Sequence, residues 1–358
     1  MSLLMELGLL RRGPWEAPTL LDRLLASPVR AAAHYLYSWV VAVRGWASQR
    51  HEINEREDAE AARILAGAPA KSQAVRVVCI SDTHDLVVSD VPDGDLLIHA
   101  GDLTDEGTPA DLQKQLDWLA SLPHPHKIVI CGNHDSWFDP TARAAKGIVV
   151  ADAEKEGPQF APNMYYLEHD SKTIEFANGR TLKVYGAPDI PECGPAHFSF
   201  QYPRASPPWK DTIPNDIDIL VTHAPPRHHL DLGLGCAGIL AEIWRVRPSL
   251  HVFGHVHWGA GRQDVFWDDI QLAYEHLVEA GDVDGESIPS QAGGILSQLL
   301  SLIRITAAAA IATIMIPVWL VAPGALAEDG GSCTILVNAG QMHGNTGRLG
   351  NSIQVVTL

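Results

Sequence analysis

The sequence is poor in cysteine and in positive charge. Only five of its 358 residues are cysteines, and they are widely scattered with no CxxC pair. This usage predicts neither a disulfide framework nor a thiolate zinc site, and it favours a reducing intracellular compartment. Lysine and arginine total 26 against 43 acidic residues, which gives a formal net charge of -17. Without a positive field to attract phosphate backbones, nucleic acid is not expected as a partner.

The beginning of the chain also lacks the features of a secretory signal. Residues 1 to 6 have no basic region that leads directly into an apolar core and a small-residue cleavage site, so a cytoplasmic location is expected. Residues 1 to 70 nevertheless show leucines at helical spacing and an apolar patch over 31 to 43. We predict a helical N-terminal extension here. Its apolar patch either packs on the core or lies in a membrane surface.

One long uncharged run interrupts the second half of the chain. Ile305 to Ala327 meets the length criterion for a transmembrane helix, although Pro317 and Pro323 interrupt it. Strand-like residues follow, and a single crossing would leave them on the opposite side of a membrane from the earlier strands. Three interpretations therefore stay open: a membrane-inserted or surface-lying helix, an ordinary packed or flexible insertion, and a true span. Membrane-surface association through 305 to 327 is an expectation.

Five short polar clusters each follow a hydrophobic run that predicts a buried strand. Between the second and third runs, 109 to 122 carries leucines at helical spacing, and this order implies parallel strands with a right-handed crossover. Sheets of this kind bind ligands at the carboxyl ends of their strands. The clusters are Ser81-Asp82-Thr83-His84, Gly101-Asp102, Gly132-Asn133-His134-Asp135, Thr222-His223 and Gly254-His255-Val256-His257.

Seven side chains in these clusters are candidate metal ligands. They offer oxygen and imidazole donors without a thiolate, a set that suits Mn, Fe or Zn better than a closed structural zinc site. Seven donors are too many for one such ion, whereas two ions that share a bridging carboxylate would use them all. We therefore infer a dinuclear metal centre. The seven are Asp82, His84, Asp102, Asn133, His223, His255 and His257.

Together, the motifs resemble those of the calcineurin-like metallophosphoesterase superfamily, whose pattern is DxH, GD, GNH[DE], H and GHxH. The resemblance covers roughly 75 to 258. It implies an α/β fold, a four-layer sandwich in which two mixed β-sheets are flanked by helices, and a metal-dependent phosphoesterase activity. Within the superfamily, Thr222 to Pro226 and Leu336 to Ala339 are similar to the small metallophosphoesterase-domain-containing proteins, which are related to class III cyclic-nucleotide phosphodiesterases.

The resemblance also implies a role for each residue of the site. A metal-bound hydroxide would attack phosphorus in line, between two ions that clamp the phosphoryl oxygens. His134 would stabilise the transition state and protonate the leaving oxygen. Asp105 is placed to orient His134, but an ordinary solvated loop residue at this position is an equal alternative. One ion would be held by Asp82, His84 and His257, the other by Asn133, His223 and His255, and Asp102 would bridge them.

Two departures from the superfamily's protein Ser/Thr phosphatases concern the substrate. Those enzymes place an Asp-Arg-Gly run after GD, where this chain has Asp105-Glu106-Gly107, and an acid at that point would repel a dianionic phosphomonoester. They also end GNH with Glu, where this chain has Asp135. Both differences favour a small phosphodiester as the substrate, with cyclic nucleotides as one candidate. The alternatives are a phosphomonoesterase, a nucleotide pyrophosphatase, and a non-catalytic membrane-associated metal-bound scaffold.

The sequence predicts further features outside the five clusters. A hairpin is expected around Asn178-Gly179, and 188 to 214 is expected to be a long loop over the site that could contact substrate. The Gly-rich turn at 340 to 344 lacks the spacing of a phosphate-binding loop. Neither the oligomeric state nor the identity of the metals follows from the sequence.

The chain is predicted to have four parts. They are the N-terminal extension (1 to 70), a metallophosphoesterase core (71 to 281), the hydrophobic helical insertion (282 to 330) and C-terminal strands that complete the core (331 to 358).

Overall fold

The structure is a computed structural model that describes residues 2–13, 16–65, 74–147, 157–279, 295–321 and 333–358. Within these ranges the chain forms two compact units. The helical unit comes from 1–72 and 264–334, and the sheet unit comes from 73–263 and 335–358. The predicted division at 281 thus lies apart from the boundary at 264, because the packing assigns 264–334 to the same unit as the N-terminal extension. Parts of the predicted insertion, 282–294 and 322–330, lie outside the described residues.

Two large sheets, a two-stranded sheet and three helices lie in the sheet unit, apart from a few strand residues at its boundaries. The helices are α4 (Pro109–Ser121), α5 (Pro140–Ala145) and α6 (Ala237–Val246). The strands are β1 (Arg76–Ile80), β2 (Leu96–Ala100), β3 (His126–Ile130), β4 (Met164–Tyr166), β5 (Asp170–Glu175), β6 (Thr181–Ala187), β7 (Ile190–Pro191), β8 (Gln201–Tyr202), β9 (Ile219–Thr222), β10 (Leu250–Phe253), β11 (Gly261–Phe266), β12 (Cys333–Asn338) and β13 (Gln354–Thr357).

Both large sheets are mixed. The first has the order β13-β1-β2-β3-β4, in which only β13 is antiparallel to its neighbour. The second has the order β11-β12-β10-β9-β6-β5. In it, β6, β9, β10 and β12 are parallel, and β5 and β6 form the predicted antiparallel hairpin. The hairpin turn uses Gly179 at a φ of +83°, which glycine adopts without steric cost.

The two sheets share one apolar core. Inward-facing side chains of β1 to β3, such as Ile98 and Ile130, cluster with those of β6, β9 and β10, such as Val184 and Val252. The other face of the first sheet is covered by α4, whose Leu112, Leu116 and Leu119 pack on it at helical spacing. The predicted fold class, with two mixed sheets flanked by helices, is confirmed. This packing brings the carboxyl ends of the parallel strands in both sheets to one edge.

The helical unit contains α1 (Ser2–Glu6), α2 (Leu20–Ala26), α3 (Pro28–Leu65), α7 (Asp269–Glu279) and α8 (Ile295–Val321). Ala33 and Tyr37 of α3 cluster with Tyr274 and Leu277 of α7 and with Ile305 of α8. The rings of Tyr37 and Tyr274 are stacked with centroids 4.0 Å apart. Within α8, Ser297–Leu320 is the one described segment long and apolar enough to cross a membrane, by length and composition alone.

Candidate metal centre

All seven predicted ligands follow the carboxyl ends of parallel strands. Asp82 and His84 follow β1, Asp102 follows β2 and Asn133 follows β3, all from the first sheet. From the second sheet, His223 follows β9, and β10 is followed by the turn that carries the remaining two histidines, His255 and His257. Because these ends meet at one edge, the structure brings the seven side chains together.

The backbone at this edge is held in unusual conformations. Asp82, His84, Asp102 and His255 have φ angles of 54°, 46°, 52° and 66°, in the left-handed region that residues with a Cβ rarely occupy. Such conformations persist only where the surrounding structure enforces them, and they concentrate at functional sites. Here the left-handed turns aim the side chains of consecutive strand ends at a common point.

Two motif glycines are required because ligands lie directly against them. A Cβ at Gly132 would lie 2.3 Å from Asp102 Oδ1 and 2.7 Å from His223 Cε1. A Cβ at Gly254 would lie 2.2 Å from Asp82 Oδ2. Any other residue at these positions would displace the carboxylates, so these glycines of the GNHD and GHVH motifs serve close packing of the ligands.

The first group of donors is formed by Asp82, His84 and His257, whose ligand atoms lie within 4.8 Å of one another. His257 Nε2 is 3.4 Å from Asp82 Oδ1. His84 Nε2 is buried and makes no hydrogen bond within the described part of the chain. A buried polar nitrogen is normally paired, so this atom is available to a metal ion.

Asp102, His223 and His255 form the second group, again with ligand atoms within 4.8 Å of one another. His223 Nε2 lies 3.1 Å from Asn133 Oδ1 and 3.2 Å from Asp102 Oδ2. The same Asp102 Oδ2 is 3.7 Å from His84 Nε2, which belongs to the first group. Asp102 therefore lies between the two groups, where a bridging carboxylate would be.

Three of the four histidine ligands are oriented through their Nδ1 atoms. His223 Nδ1 lies 2.9 Å from the main-chain oxygen of Ala100, and His257 Nδ1 lies 2.9 Å from that of Gly344. His84 Nδ1 lies 2.8 Å from Asp105 Oδ1. Since a carbonyl oxygen only accepts, Nδ1 of His223 and of His257 carries a proton, and Nε2 is the ring nitrogen that faces the cluster. Outer partners of this kind fix metal-ligating histidines.

The electrostatics of the cluster favour a bound cation. Burial raises the pKa of Asp82, but its hydrogen bond to His257 and the charge of that histidine outweigh burial and lower the pKa to about 2. Burial likewise opposes ionisation of Asp102, yet the neighbouring charge of His223 holds its pKa well below the usual range. Burial lowers the pKa of His223, whereas Asp102 and Asp82 raise it to about 9. Two buried carboxylates are thus ionised at neutral pH.

The donor set fits two metal ions. Each group combines carboxylate with imidazole, Asn133 adds an amide oxygen, and no cysteine belongs to a candidate metal group among the described residues. This chemistry suits Mn, Fe or Zn in an open site rather than a closed thiolate site. The unbonded Nε2 of His84 and the position of Asp102 between the groups both match a dinuclear centre.

The contact predicted between Asp105 and His134 needs a correction. The Asp105 carboxylate bonds to His84 rather than to His134. His134 is held instead by the main-chain oxygen of Asp105, which lies 2.9 Å from His134 Nδ1, and the main-chain N–H of His134 donates to Asp102 Oδ1 over 2.9 Å. The carboxylate is drawn to His84 because that ring lies between it and the ionised Asp102. His134 keeps its Nε2 for another partner.

Asp135 joins the loops that carry the ligands. Its buried carboxylate accepts hydrogen bonds from the main-chain N–H groups of Gly132, Leu103 and Thr104, at 2.9, 3.2 and 3.1 Å. Burial and the charge of Asp102 raise its pKa to about 6. In the sequence Asp135 stands out only as a departure from protein phosphatases, whereas the structure shows that it ties the loop after β2 to the loop after β3.

The C-terminal segment supplies residues that the sequence analysis missed. Asn351 Nδ2 donates to the main-chain oxygens of His257, Gly340 and Met342. Asn338 Nδ2, at the end of β12, donates to the oxygens of Leu230 and Val256. Together with Gly344, these asparagines hold the turn that carries His255 and His257. The signal for Asn338 was a polar residue at the end of a buried strand, and Asn351 gave no signal.

The predicted loop over the site reaches His134 and Asn133. The ring of Phe198 lies against that of His134 with centroids 4.8 Å apart. The main-chain N–H of Ser199 donates to the main-chain oxygen of Asn133 over 2.8 Å. Short pairing between β7 and β8 braces the base of this loop. The loop therefore forms one wall beside the candidate acid.

Comparisons with known proteins agree with this site. The family model described as Calcineurin-like phosphoesterase matches residues 75–259. A protein named Probable rhamnogalacturonate lyase C from Emericella nidulans is 39% identical over 269 residues, 74% of this chain and 22% of that protein. Metallophosphoesterase domain-containing protein 1 of Homo sapiens is 35% identical over 54% of this chain and 64% of that protein. UPF0046 protein K07C11.7 of Caenorhabditis elegans is 36% identical over 51% of this chain and 63% of that protein. The chain thus spans less than two thirds of each of these relatives.

Proposed function

Because the chain belongs to the calcineurin-like phosphoesterase family, we propose that it hydrolyses a small phosphodiester, with cyclic nucleotides as one candidate substrate class. The observation that supports this most is the position of Asp102 between two groups of donors, 3.2 Å from His223 and 3.7 Å from His84. That arrangement serves a pair of metal ions, which is characteristic of enzymes that displace an oxygen from phosphorus.

Asp82, His84 and His257 would hold one ion, and Asn133, His223 and His255 the other. Two ions held there would lower the pKa of water and neutralise charge on the phosphoryl oxygens. The protein's own contribution is to fix the donors before substrate arrives, through the Nδ1 contacts of three histidines and the carboxylate of Asp135. Fixed donors require little reorganisation during the reaction.

In this proposal His134 protonates the leaving oxygen. Its Nδ1 is engaged by the main-chain oxygen of Asp105, so a protonated ring presents its Nε2–H to a substrate at the cluster. The ring of Phe198 limits its rotation on one side. A positioned histidine is the usual general acid, and such a group contributes roughly 100- to 10,000-fold to the rate.

The surroundings of the cluster support a singly charged substrate. Asp105 has 61% of its side chain exposed beside His84, and within the described part of the chain none of the seven ligands is paired with an arginine or lysine. Glu106 is paired with Lys146 at 3.1 Å and is itself 74% exposed. A second negative charge, as in a phosphomonoester, would therefore meet acids where a guanidinium is needed.

Other activities are alternatives to the diesterase proposal. A phosphomonoesterase or a nucleotide pyrophosphatase would use the same centre, and the substrate profile separates them. The lyase named in the Emericella nidulans relative is not proposed for this chain, because the alignment covers only 22% of that protein. We propose a cytoplasmic location from the cysteine usage, and the net charge of -17 supports a small phosphoester rather than nucleic acid as partner.

The test compares hydrolysis of bis(p-nitrophenyl) phosphate and p-nitrophenyl phosphate with added Mn²⁺ by the wild type, Asp102→Ala and His134→Ala. We expect kcat/KM of the wild type to be larger for the diester. Asp102→Ala should lose both metal and activity. His134→Ala should keep metal and lose about 100-fold or more in kcat.

Asp216→Asn provides a matched control, because this 73% exposed carboxylate pairs with Lys183 away from the cluster. It should behave as the wild type. A larger kcat/KM for the monoester would replace the diesterase proposal with the phosphomonoesterase. Metal binding without hydrolysis of either compound would favour the scaffold or a more selective enzyme.

A further inference from the structure

The helix α8 exposes several large apolar side chains and packs mainly small residues against the helical unit. Ile303, Ile311 and Ile314 are 59%, 60% and 71% exposed. The stripe of α8 that is buried within the helical unit consists of one serine, one isoleucine and two alanines. A helix on the surface of a water-soluble unit shows the opposite pattern, with charged side chains on its outer face. Small residues at a helix contact are typical of packing in lipid. The buried stripe is Ser301, Ile305, Ala309 and Ala312.

Helix α3 extends the same surface. Its residues Ala33, Tyr37 and Val40 are buried, while Trp39 is 46% exposed. The indole Nε1–H of Trp39 donates to Thr313 Oγ1 over 3.0 Å, which places Trp39 beside the exposed stripe of α8. We call the surface formed by Trp39, Ile303, Ile311 and Ile314 the apolar face. Tryptophan is enriched where proteins meet the headgroup level of a bilayer.

Charge distinguishes a bilayer from a protein as the occupant of the apolar face. From Ile295 to Val321 the only charged residue is Arg304, so α8 lacks the polar rim that borders protein interfaces. The outer side of α8, which carries no charge besides Arg304, and the indole of Trp39 therefore fit the interior and the headgroup level of a bilayer better than they fit a protein partner.

The chain's topology favours a helix that lies in the membrane surface. The strand before α8, β11, and the strand after it, β12, are neighbours in one sheet. A single crossing by α8 would separate them, and a return crossing needs another apolar helix. The other described helix between β11 and β12 is α7, whose 11 residues are fewer than the roughly 20 that a span needs.

From these observations we propose that the apolar face docks into the surface of a lipid bilayer, with α3 and α8 lying in the plane of the interface. The proposal does not depend on the hydrolytic function. It assigns an anchoring role to α3 and α8, which contribute no donor to the candidate metal centre.

Vesicle flotation of the full chain tests the proposal. The wild type should float with phosphatidylcholine vesicles, and its flotation should persist in high salt because the residues of the apolar face are uncharged. The double variant Ile311→Glu/Ile314→Glu should lose about tenfold or more in vesicle partitioning, because it removes two large apolar side chains and adds charge.

Val87→Glu is the matched control, since Val87 is 58% exposed but belongs to the sheet unit. It should float as the wild type does. Circular dichroism and thermal melting of both variants verify folding without reference to activity. Absence of wild-type flotation, or equal flotation of wild type and double variant, overturns the proposal. A self-association that the double variant abolishes, without vesicle binding, would instead assign the apolar face to a second copy of the chain.

Discussion

Each histidine ligand depends on what holds its second ring nitrogen. For His223 and His257 the partner is a main-chain oxygen, which no substitution of that residue's side chain removes. For His84 the partner is the carboxylate of Asp105. His84 is therefore the one of these three whose orientation can be tested directly by changing a side chain.

We predict that Asp105→Ala lowers the affinity for Mn²⁺ by about 10- to 100-fold, the usual effect of losing an outer partner of a metal ligand. At saturating Mn²⁺, kcat should stay within a few-fold of the wild type, because the main-chain oxygen that holds His134 remains. Asp105→Asn, which still offers an acceptor to His84, should recover most of the affinity. Calorimetric metal titration and kinetics at saturating metal provide the two readouts.

The opposite result has a clear meaning. If Asp105→Ala keeps its metal affinity and loses kcat, the carboxylate acts on His134, as the sequence analysis expected. Local sequence could not decide this point. Residues 102 to 105 place the carboxylate near both rings, and only the position of His84 relative to the ionised Asp102 determines which one it meets.

Among the structural elements, those with regular local patterns were predictable. The β-branched run at 75–80 became β1 (Arg76–Ile80), and the leucine spacing after Thr108 became α4 with Thr108 as its N-cap. The ligands were predictable for the same reason, because each motif directly follows such a strand. Packing between distant elements was not, since the contact of α8 with α3 joins segments more than 200 residues apart that local periodicity does not relate.

The C-terminal strands illustrate the same limit. The sequence predicts strands there, but no local pattern assigns a role to Asn351. Its three acceptors lie on the turn after β10 and on the chain after β12. Because an asparagine between strands resembles any turn residue, only the closed structure reveals that it connects the C-terminal segment to the loop of His257.

Loss of these contacts should be measurable. We predict that Asn351→Ala destabilises the protein by about 1–3 kcal/mol, because partly buried carbonyl oxygens lose their donor, and that it also weakens metal binding through His257. Thr346→Ala is the control in the same loop, since its exposed hydroxyl bonds only the oxygen of His343. Urea unfolding and metal titration compare the two. Equal effects of the two substitutions on stability and metal affinity would contradict a specific role for the hydrogen bonds of Asn351.

For the molecule as a whole, the strongly negative charge and the metal centre are complementary. A chain with a net charge of -17 does not attract an anionic phosphoester by its long-range field. Two buried carboxylates, Asp82 and Asp102, instead concentrate negative charge at one edge of the two sheets. Cations bound at that edge would change the local charge from negative to positive. An anionic phosphoester could then bind there.

The most direct test of this account is the number and coupling of metal ions in the folded chain. Titration of the metal-free protein with Mn²⁺, followed by electron paramagnetic resonance, should show two ions per chain with spin coupling between them. Asp102→Asn should abolish the coupling, because the shared carboxylate is lost. A single uncoupled ion in the wild type, or coupling that survives in Asp102→Asn, would contradict a dinuclear centre bridged by Asp102.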